Sequence, residues 1–105
     1  MIIAVDFDGT LAITNYPTII CPKHEVIEWC KAQKSMGDTL ILWTCRHGKP
    51  LDEAVEWCRN QGLIFDYVNE SPRDRVYQYG DTRKVYADVY LDDHNLLISE
   101  IKEFV

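Results

Sequence analysis

The chain has 105 residues, of which 47% are hydrophobic and 27% charged, and its net charge at pH 7 is −6. This length is enough for a single domain, 1–105, and the composition is that of a globular protein rather than a disordered one. The acidic balance argues against general nucleic-acid binding and against docking on anionic membranes.

The N-terminal segment MIIAVDFD has no basic region typical of a secretory signal, and no apolar run approaches the ~18 residues of a membrane helix. The four cysteines, Cys21, Cys30, Cys45 and Cys58, show neither C-x-x-C spacing nor a zinc-finger pattern with histidine. We expect them to be small apolar core residues in a reducing compartment. The sequence therefore predicts a cytoplasmic protein.

Short apolar runs predict four strands that are buried on both faces. They are IIAV (2–5), TLILWT (39–44), LIFDYV (63–68) and VYADVYL (85–91). The segment AITNYPTIICP (12–22), after the first strand, is expected to be a loop.

Helices are predicted between these strands from apolar residues at helical spacing. One lies between Pro22 and Gly37, a second between Pro50 and Gly62, and a third over His94 to Phe104. The segments VIEWCKAQ (26–33) and AVEWCRNQ (54–61) are near copies. We interpret them as two helices that pack against one sheet in the same way.

Strands that alternate with helices predict an α/β fold with a parallel sheet covered on both faces, a three-layer α/β/α arrangement. We expect the four strands in the spatial order 3-2-1-4, with the first strand central. Ligands of such sheets bind beyond the carboxyl ends of the strands. Functional residues are therefore sought just after each predicted strand.

The first strand is followed by the motif DFDGTL. Residues two apart on an extended chain face the same side, so Asp6 and Asp8 should point together while Phe7 faces the core. Gly9 permits a tight turn, and Thr10 is expected to hydrogen-bond across it. Two carboxylates this close require a cation or a shared proton.

The fourth strand ends in a second acidic pair, Asp92 and Asp93. If Asp93 only capped a following helix and Asp92 faced water, the pair would have no further role. If the fourth strand lies beside the first, however, Asp92 and Asp93 converge with Asp6 and Asp8. Oxygen ligands of this kind suit Mg²⁺, which also retains waters and accepts a substrate phosphate.

The order of these elements resembles the haloacid dehalogenase superfamily of phosphohydrolases. The motif D-x-D-G-T is followed by an apolar strand ending in Thr44, then by Lys84, then by an acidic pair, and these elements span Asp6 to Asp93. The resemblance implies a HAD-like, Rossmann-like fold and a Mg²⁺-dependent phosphatase that works through an aspartyl phosphate.

Residue by residue, the resemblance implies Asp6 as the nucleophile and Asp8 as the acid that protonates the leaving oxygen and then activates water. Thr44 and Lys84 would bind the phosphate. Asp92 would be a metal ligand, with Asp93 in direct contact with the metal or one shell further out, and the Asp8 carbonyl would also face it. Phosphoryl transfer requires mainly positioning and charge neutralisation, which a metal and a lysine supply.

Several of these residues have simpler interpretations. Lys84 competes with Arg83 for the phosphate-binding role or is a surface lysine, and Thr44 is otherwise ordinary strand sequence. Arg46 and His47 follow the second strand, so they are either substrate contacts or solvated loop residues. The three tryptophans, at 29, 43 and 57, are expected to pack helices against the sheet.

The segments between the motifs are too short for a cap domain, so we expect an open site. Such a site suits a phosphate on a bulky or macromolecular substrate, or a cap supplied by a second subunit in a homo-oligomer. A small phosphorylated molecule is the other substrate class. The long segment 69–83, NESPRDRVYQYGDTR, offers arginines and tyrosines that could select the substrate. Neither the substrate nor the oligomeric state follows from the sequence.

Two other functions share part of this pattern. A phospho-acceptor module of the response-regulator receiver type also clusters acids, Thr and Lys at strand ends, but its acceptor Asp follows a mid-chain strand. Here that strand offers only Asp66, inside IFDYV. A non-catalytic binding subunit is the second alternative, and retention of both Asp6 and Asp8 argues against it because unneeded buried acids are costly.

Overall fold

A computed structural model describes residues 1–69 and 87–92 of the chain. The predicted α/β class with a parallel sheet is confirmed. The elements in chain order are β1 (Ile2–Val5), β2 (Ala12–Asn15), β3 (Thr18–Pro22), α1 (His24–Ser35), β4 (Thr39–Leu42), α2 (Gly48–Asn60), β5 (Tyr67–Val68) and β6 (Val89–Leu91).

The main sheet has the strand order β5-β4-β1-β6, and each neighbouring pair is parallel. The last residue of β1, Val5, pairs with Leu42 at the end of β4 and with Leu91 at the end of β6. Because the pairing is parallel and in register, the carboxyl ends of these three strands lie side by side. This alignment positions the candidate site.

The two faces of the sheet belong to different apolar clusters, since side chains alternate along a strand. Ile3, Val5, Leu40 and Leu42 lie in a large core together with residues of both α1 and α2. The other face presents a smaller cluster of Ile2, Ala4 and Ile41, with Trp43, Tyr67, Ala87 and Tyr90 packed against it. Both described helices thus cover the same face. The third predicted helix, 94–104, lies outside the described residues.

The prediction of a loop at 12–22 is wrong. This segment forms an antiparallel hairpin of β2 and β3 with an irregularity between Ile13 and Thr14. Its connection contains a cis peptide bond between Tyr16 and Pro17. Two runs rich in β-branched residues, AIT and TII, flank the turn residues, and this composition favours strands.

β1 has its predicted range, whereas the remaining predicted strands are shorter than expected. β4 ends at Leu42, two residues early, and β5 comprises only the last two residues of the predicted 63–68. Among residues 87–91, only Val89–Leu91 form the strand, and residues 85 and 86 lie outside the described part. The segment 69–83 is described only at Asn69.

All four cysteines are free thiols. Cys30 and Cys58 lie in the core as predicted, and burial raises the pKa of each thiol to about 12. The prediction is wrong for Cys45, which is exposed, and Cys21 is only half-buried. Among the helices within 1–69 and 87–92, none has the length and apolar character needed to cross a membrane.

Gly62 closes α2 and provides a test of this local structure. Its φ is +82°, and its N–H donates to the carbonyl of Arg59 at 2.9 Å. An added Cβ would lie 3.2 Å from the Lys31 Nζ. We expect Gly62→Ala to lower the free energy of unfolding by about 1–2 kcal/mol, the cost of a left-handed conformation for an L-residue.

Urea denaturation measures this change. Gln61→Ala is the matched control, because Gln61 has an ordinary right-handed conformation at φ −82°. Equal stability of the two variants would contradict the strain assigned to position 62.

Candidate active site at the carboxyl edge of the sheet

Backbone hydrogen bonds bind the ends of neighbouring strands to one another just where the candidate residues begin. The Asp6 N–H donates to the Leu91 carbonyl at 3.0 Å, and the Trp43 N–H donates to the Val5 carbonyl at 2.9 Å. An open cleft of about 170 Å³ lies at this edge. It is lined by Asp6, Trp43, Thr44, Cys45 and Asp92.

Asp6 is the first residue after β1 and is half-buried. Its Oδ1 accepts a hydrogen bond from the Phe7 N–H at 2.8 Å, while the Phe7 ring is fully buried and meets Trp57 edge to face. Phe7 therefore faces the core as predicted. The buried ring anchors the backbone on which Asp6 and Asp8 are mounted.

The chain then turns tightly over the strand end. The Phe7 carbonyl accepts hydrogen bonds from the N–H groups of Thr10 and Leu11, and Gly9 has φ +80°. The predicted turn at Gly9 is confirmed, since this left-handed conformation favours glycine. Thr10 hydrogen-bonds across the turn through its backbone N–H, at 3.2 Å from the Phe7 carbonyl, whereas its buried Oγ1 has no hydrogen-bond partner among the described residues.

Thr44 lies beyond the end of β4 and faces the cleft, so it is not ordinary strand sequence. Its N–H donates to the Asn69 Oδ1 at 2.8 Å, and its Oγ1 accepts from the Arg46 N–H at 3.2 Å. The first bond fixes the backbone of Thr44, and the second orients its hydroxyl oxygen.

Asp8 is held by Arg46 rather than lining this cleft. The Arg46 Nε donates to the Asp8 Oδ2 at 2.9 Å, and its Nη2 donates to Oδ1 at 2.7 Å. The Thr14 hydroxyl donates to the same Oδ1 at 2.7 Å. This two-pronged geometry matches the fork of a guanidinium to a carboxylate and gives a strong, directional pair.

The Arg46 side chain is only 1% exposed, so it is not a solvated loop residue. Its Nη1 donates to the carbonyls of Pro17 in the hairpin turn and Pro50 in α2, at 3.2 and 3.3 Å. Its guanidinium carbon lies 4.9 Å from the centre of the Phe7 ring and 5.0 Å from that of Tyr16.

The Arg46 guanidinium lowers the pKa of the Asp8 carboxyl through their hydrogen bonds, against the opposing effect of partial burial. Asp8 in turn raises the pKa of Arg46. A carboxyl whose pKa is lowered on folding stabilises the folded chain above its unfolded pKa. This stabilisation is lost as the pH falls from about 4 through the lower folded value.

We expect Asp8→Asn to lower the free energy of unfolding at pH 7 by about 1–2 kcal/mol, because it leaves a buried guanidinium without its counter-charge. The loss falls below the roughly 3–5 kcal/mol of a fully buried pair, since the Asp8 side chain is 32% exposed. Chemical denaturation at several pH values measures it. The difference between wild type and variant should shrink below pH 4; a constant difference would contradict the assignment.

The predicted site residues divide into three groups. Asp6, Thr44 and Asp92 lie together in the cleft, whereas Asp8 pairs with Arg46. Asp93 and Lys84, with its rival Arg83, lie outside the described residues. His47 is exposed at the start of α2, where it stays a predicted substrate contact.

The described part of the chain contains no group of three or more acidic, histidine or cysteine side chains placed to hold a metal. It does bring two carboxylates, Asp6 and Asp92, to one cleft. Mg²⁺ commonly takes one or two protein carboxylates and completes its shell with water and phosphate oxygens. The donor set of the cleft, which is oxygen-rich, fits that ion.

Sequence reasoning missed four residues near the site. Trp43 and Cys45 line the cleft, Thr14 binds Asp8, and the Lys23 Nζ donates to the Gly9 carbonyl at 2.8 Å. Thr14 and Lys23 come from the hairpin and from its connection to α1. The β-branched runs around Pro17 were the available signal for that hairpin.

No protein-family model and no curated protein matched the chain. A solved structure of a conserved protein from Bacteroides thetaiotaomicron is similar to it, with 42% sequence identity and a TM-score of 0.80. The alignment covers 91% of this chain and 78% of the Bacteroides protein. Identity and coverage at this level show common ancestry, and the chain therefore belongs to the same family as this conserved Bacteroides thetaiotaomicron protein.

Proposed function

We propose that the protein is a Mg²⁺-dependent phosphomonoesterase that works through an aspartyl phosphate on Asp6. The observation that carries the proposal is the cleft at the carboxyl edge, where Asp6, Thr44 and Asp92 come together from three neighbouring strand ends. A carboxylate nucleophile, a phosphate-binding hydroxyl and a second carboxylate for a cation are what this chemistry requires.

In the first half-reaction, an oxygen of Asp6 attacks phosphorus and the bond from phosphorus to the leaving oxygen breaks. The Thr44 hydroxyl donates a hydrogen bond to the transferring phosphoryl group, and Lys84 offsets its charge. Asp8, which is ionised in its pair with Arg46, first has to take up a proton. It then gives this proton to the leaving oxygen, which departs as an alcohol. In the second, Asp8 takes a proton from water, the water oxygen attacks phosphorus, and inorganic phosphate leaves Asp6.

Asp6 and Asp92 would hold the Mg²⁺, together with the Asp8 carbonyl and with Asp93 in direct contact or one shell further out. The ion would neutralise charge on the phosphoryl oxygens and the repulsion between the carboxylates. A bound phosphate would supply further oxygen ligands.

We further propose that the fold is the three-layer, HAD-like form. The strand order β5-β4-β1-β6, with β1 beside both β4 and β6, supports it. So does the apolar face of Ile2, Ala4 and Ile41, which is opposite the core that contacts α1 and α2. The predicted helix 94–104, with an apolar stripe of Leu97, Ile101 and Phe104, would cover that face.

An open site suits the short connections. Between β1 and β4 the chain forms only the hairpin and α1, which leaves no room there for a cap domain. We propose a phosphorylated substrate, small or bulky, with a second subunit of a homo-oligomer as an alternative source of a cap.

The receiver-type alternative receives less support. Its acceptor would be Asp66, but the Asp66 Oδ2 accepts the Leu40 N–H at 2.9 Å, and Leu40 is the second residue of β4. Asp66 also lies just before β5 begins, not after its end. It therefore sits toward the amino ends of the strands, away from Asp6 and Asp92.

The test is a panel of phosphorylated metabolites and aryl phosphates, scored by released inorganic phosphate with Mg²⁺ and with EDTA. The proposal expects multiple-turnover phosphate release with Mg²⁺ and its loss with EDTA. A stable phosphoprotein without turnover would instead favour the receiver-type module. Absence of both phosphate release and phosphoprotein across the panel would favour the non-catalytic subunit.

A further inference from the structure

Arg46 is the least expected feature of the candidate site. A guanidinium this deeply buried is costly to desolvate, and folded proteins retain one only where its hydrogen bonds are satisfied. Four of its five recorded side-chain hydrogen-bond and ring partners belong to the segment 7–17, which follows β1; the fifth is the Pro50 carbonyl in α2. Arg46 thus connects the loop after β1, the turn of the β2–β3 hairpin, and α2.

We propose that Arg46 is a positioning residue, which fixes the orientation of the Asp8 carboxylate for its proton transfers. The inference rests on the proposed phosphatase function. Both Asp8 oxygens are occupied by the fork of Arg46, and Oδ1 also accepts from Thr14. With both oxygens held, the carboxylate has one rotamer rather than several.

The surroundings of Arg46 explain why it is a fixed support. The Phe7 ring beneath the guanidinium is fully buried, and the Pro17 and Pro50 carbonyls hold Nη1 from two separate elements. These contacts fix the Arg46 side chain relative to the hairpin, and the Arg46 side chain in turn fixes the Asp8 carboxylate. Small errors in the position of a catalytic group lower the reaction rate. Loss of the contacts between Arg46 and Asp8 should therefore lower kcat.

The role of Arg46 predicts an effect that depends on the leaving group. A poor leaving group, such as the alkoxide of an alkyl phosphate, needs the Asp8 proton, whereas 2,4-dinitrophenolate leaves without one. A misplaced Asp8 should therefore slow alkyl phosphates and spare the dinitrophenyl ester. A variant that was only partly folded would lose both activities in proportion.

The experiment measures kcat and KM of Arg46→Met and Arg46→Lys on an alkyl phosphate from the panel and on 2,4-dinitrophenyl phosphate. We expect Arg46→Met to lower kcat for the alkyl phosphate by about 100-fold, within the range for acid–base groups, and for the dinitrophenyl ester by less than about threefold. KM should change little for either substrate. Arg46→Lys should fall between, because it restores charge but not the fork.

Arg59→Met is the matched control. Arg59 has a 62% exposed side chain and only a 4.0 Å contact with Glu56, so its removal should leave both activities unchanged. If Arg46→Met does not fold, Thr14→Val replaces it, because Thr14 is another donor to Asp8. Thr14→Val should also lower kcat selectively for the alkyl phosphate, but by a smaller factor.

The Asp8→Asn background separates positioning from other roles. There, Arg46→Lys should have no further effect on the ratio of the two activities, since the group it positions has lost its function. Equal losses on both substrates, or a selective loss that persists in Asp8→Asn, would overturn the proposal. The phosphatase proposal fails separately, if Asp6→Asn retains turnover of the dinitrophenyl ester.

Discussion

We expect Asp6→Asn to lower phosphate release by about 10⁴-fold or more, the scale of effect seen when a covalent nucleophile is removed. An amide oxygen is a much weaker nucleophile than a carboxylate, while the shape of the side chain is kept. Asp6 follows directly on the central strand of the sheet and lines the cleft. Steady-state kinetics with the best substrate of the panel measures the change.

The same variant should be as stable as wild type or slightly more stable in the absence of metal. It removes one charge from a cleft that also contains Asp92, and like charges repel most where water is partly excluded. Thermal denaturation with EDTA tests this. Asp52→Asn is the control, because Asp52 is exposed on α2 and should affect neither activity nor stability. Unchanged phosphatase activity in Asp6→Asn would exclude Asp6 as the nucleophile.

The opposite result expected for Asp8→Asn makes the pair informative. The two acids are two residues apart, yet one shares a cleft with another carboxylate and the other binds a buried guanidinium. Loss of charge should therefore stabilise the chain at position 6 and destabilise it at position 8. If the lower net negative charge alone changed stability, the two variants would change the free energy of unfolding in the same direction.

Mg²⁺ should raise the melting temperature of the protein. A ligand that binds only the folded state stabilises it by mass action, by about 2.7 kcal/mol when its concentration is 100 times the Kd. For a domain of this size, about 1 kcal/mol corresponds to several degrees. Thermal denaturation in increasing Mg²⁺, with EDTA as the reference, gives the shift.

Asp92→Ala should reduce both the Mg²⁺-induced shift and the phosphatase activity, since Asp92 lines the cleft with Asp6. We expect Asp93→Ala to do less, because its neighbour is the more direct partner of Asp6. Asp52→Ala, on the exposed face of α2, is the control that should leave the shift intact. If Asp92→Ala preserves both the shift and the turnover, the two acids have no role beyond capping a helix.

The fold class followed from local patterns. Continuous apolar runs such as IIAV indicate strands that are buried on both faces, and helices predicted between them imply parallel crossovers. These patterns depend on the spacing and composition of apolar residues, which can be read from a single sequence. They predict the bounds of strands less well, because the end of β4 and the start of β5 are decided by available partners rather than by propensity.

The acids of the candidate site were also identifiable in advance. A parallel sheet brings residues that follow its strands to one edge, so Asp6, Thr44 and Asp92 could be grouped by their positions alone. Spacing and residue type alone did not distinguish Asp6 from Asp8, because both belong to the same face of the same motif and have the same chemistry. Only the family resemblance gave them different roles.

Tertiary structure separated the two acids. Arg46 lies 38 residues from Asp8 in the chain, and no local period relates them. Its burial depends on the β2–β3 hairpin, whose Tyr16 and Pro17 supply a ring and a carbonyl. The partner of a charged group is chosen by which elements meet in space. Composition and spacing determined that carboxylates gather at this edge; packing of the hairpin decided that Asp8 has a guanidinium partner while Asp6 lines the cleft.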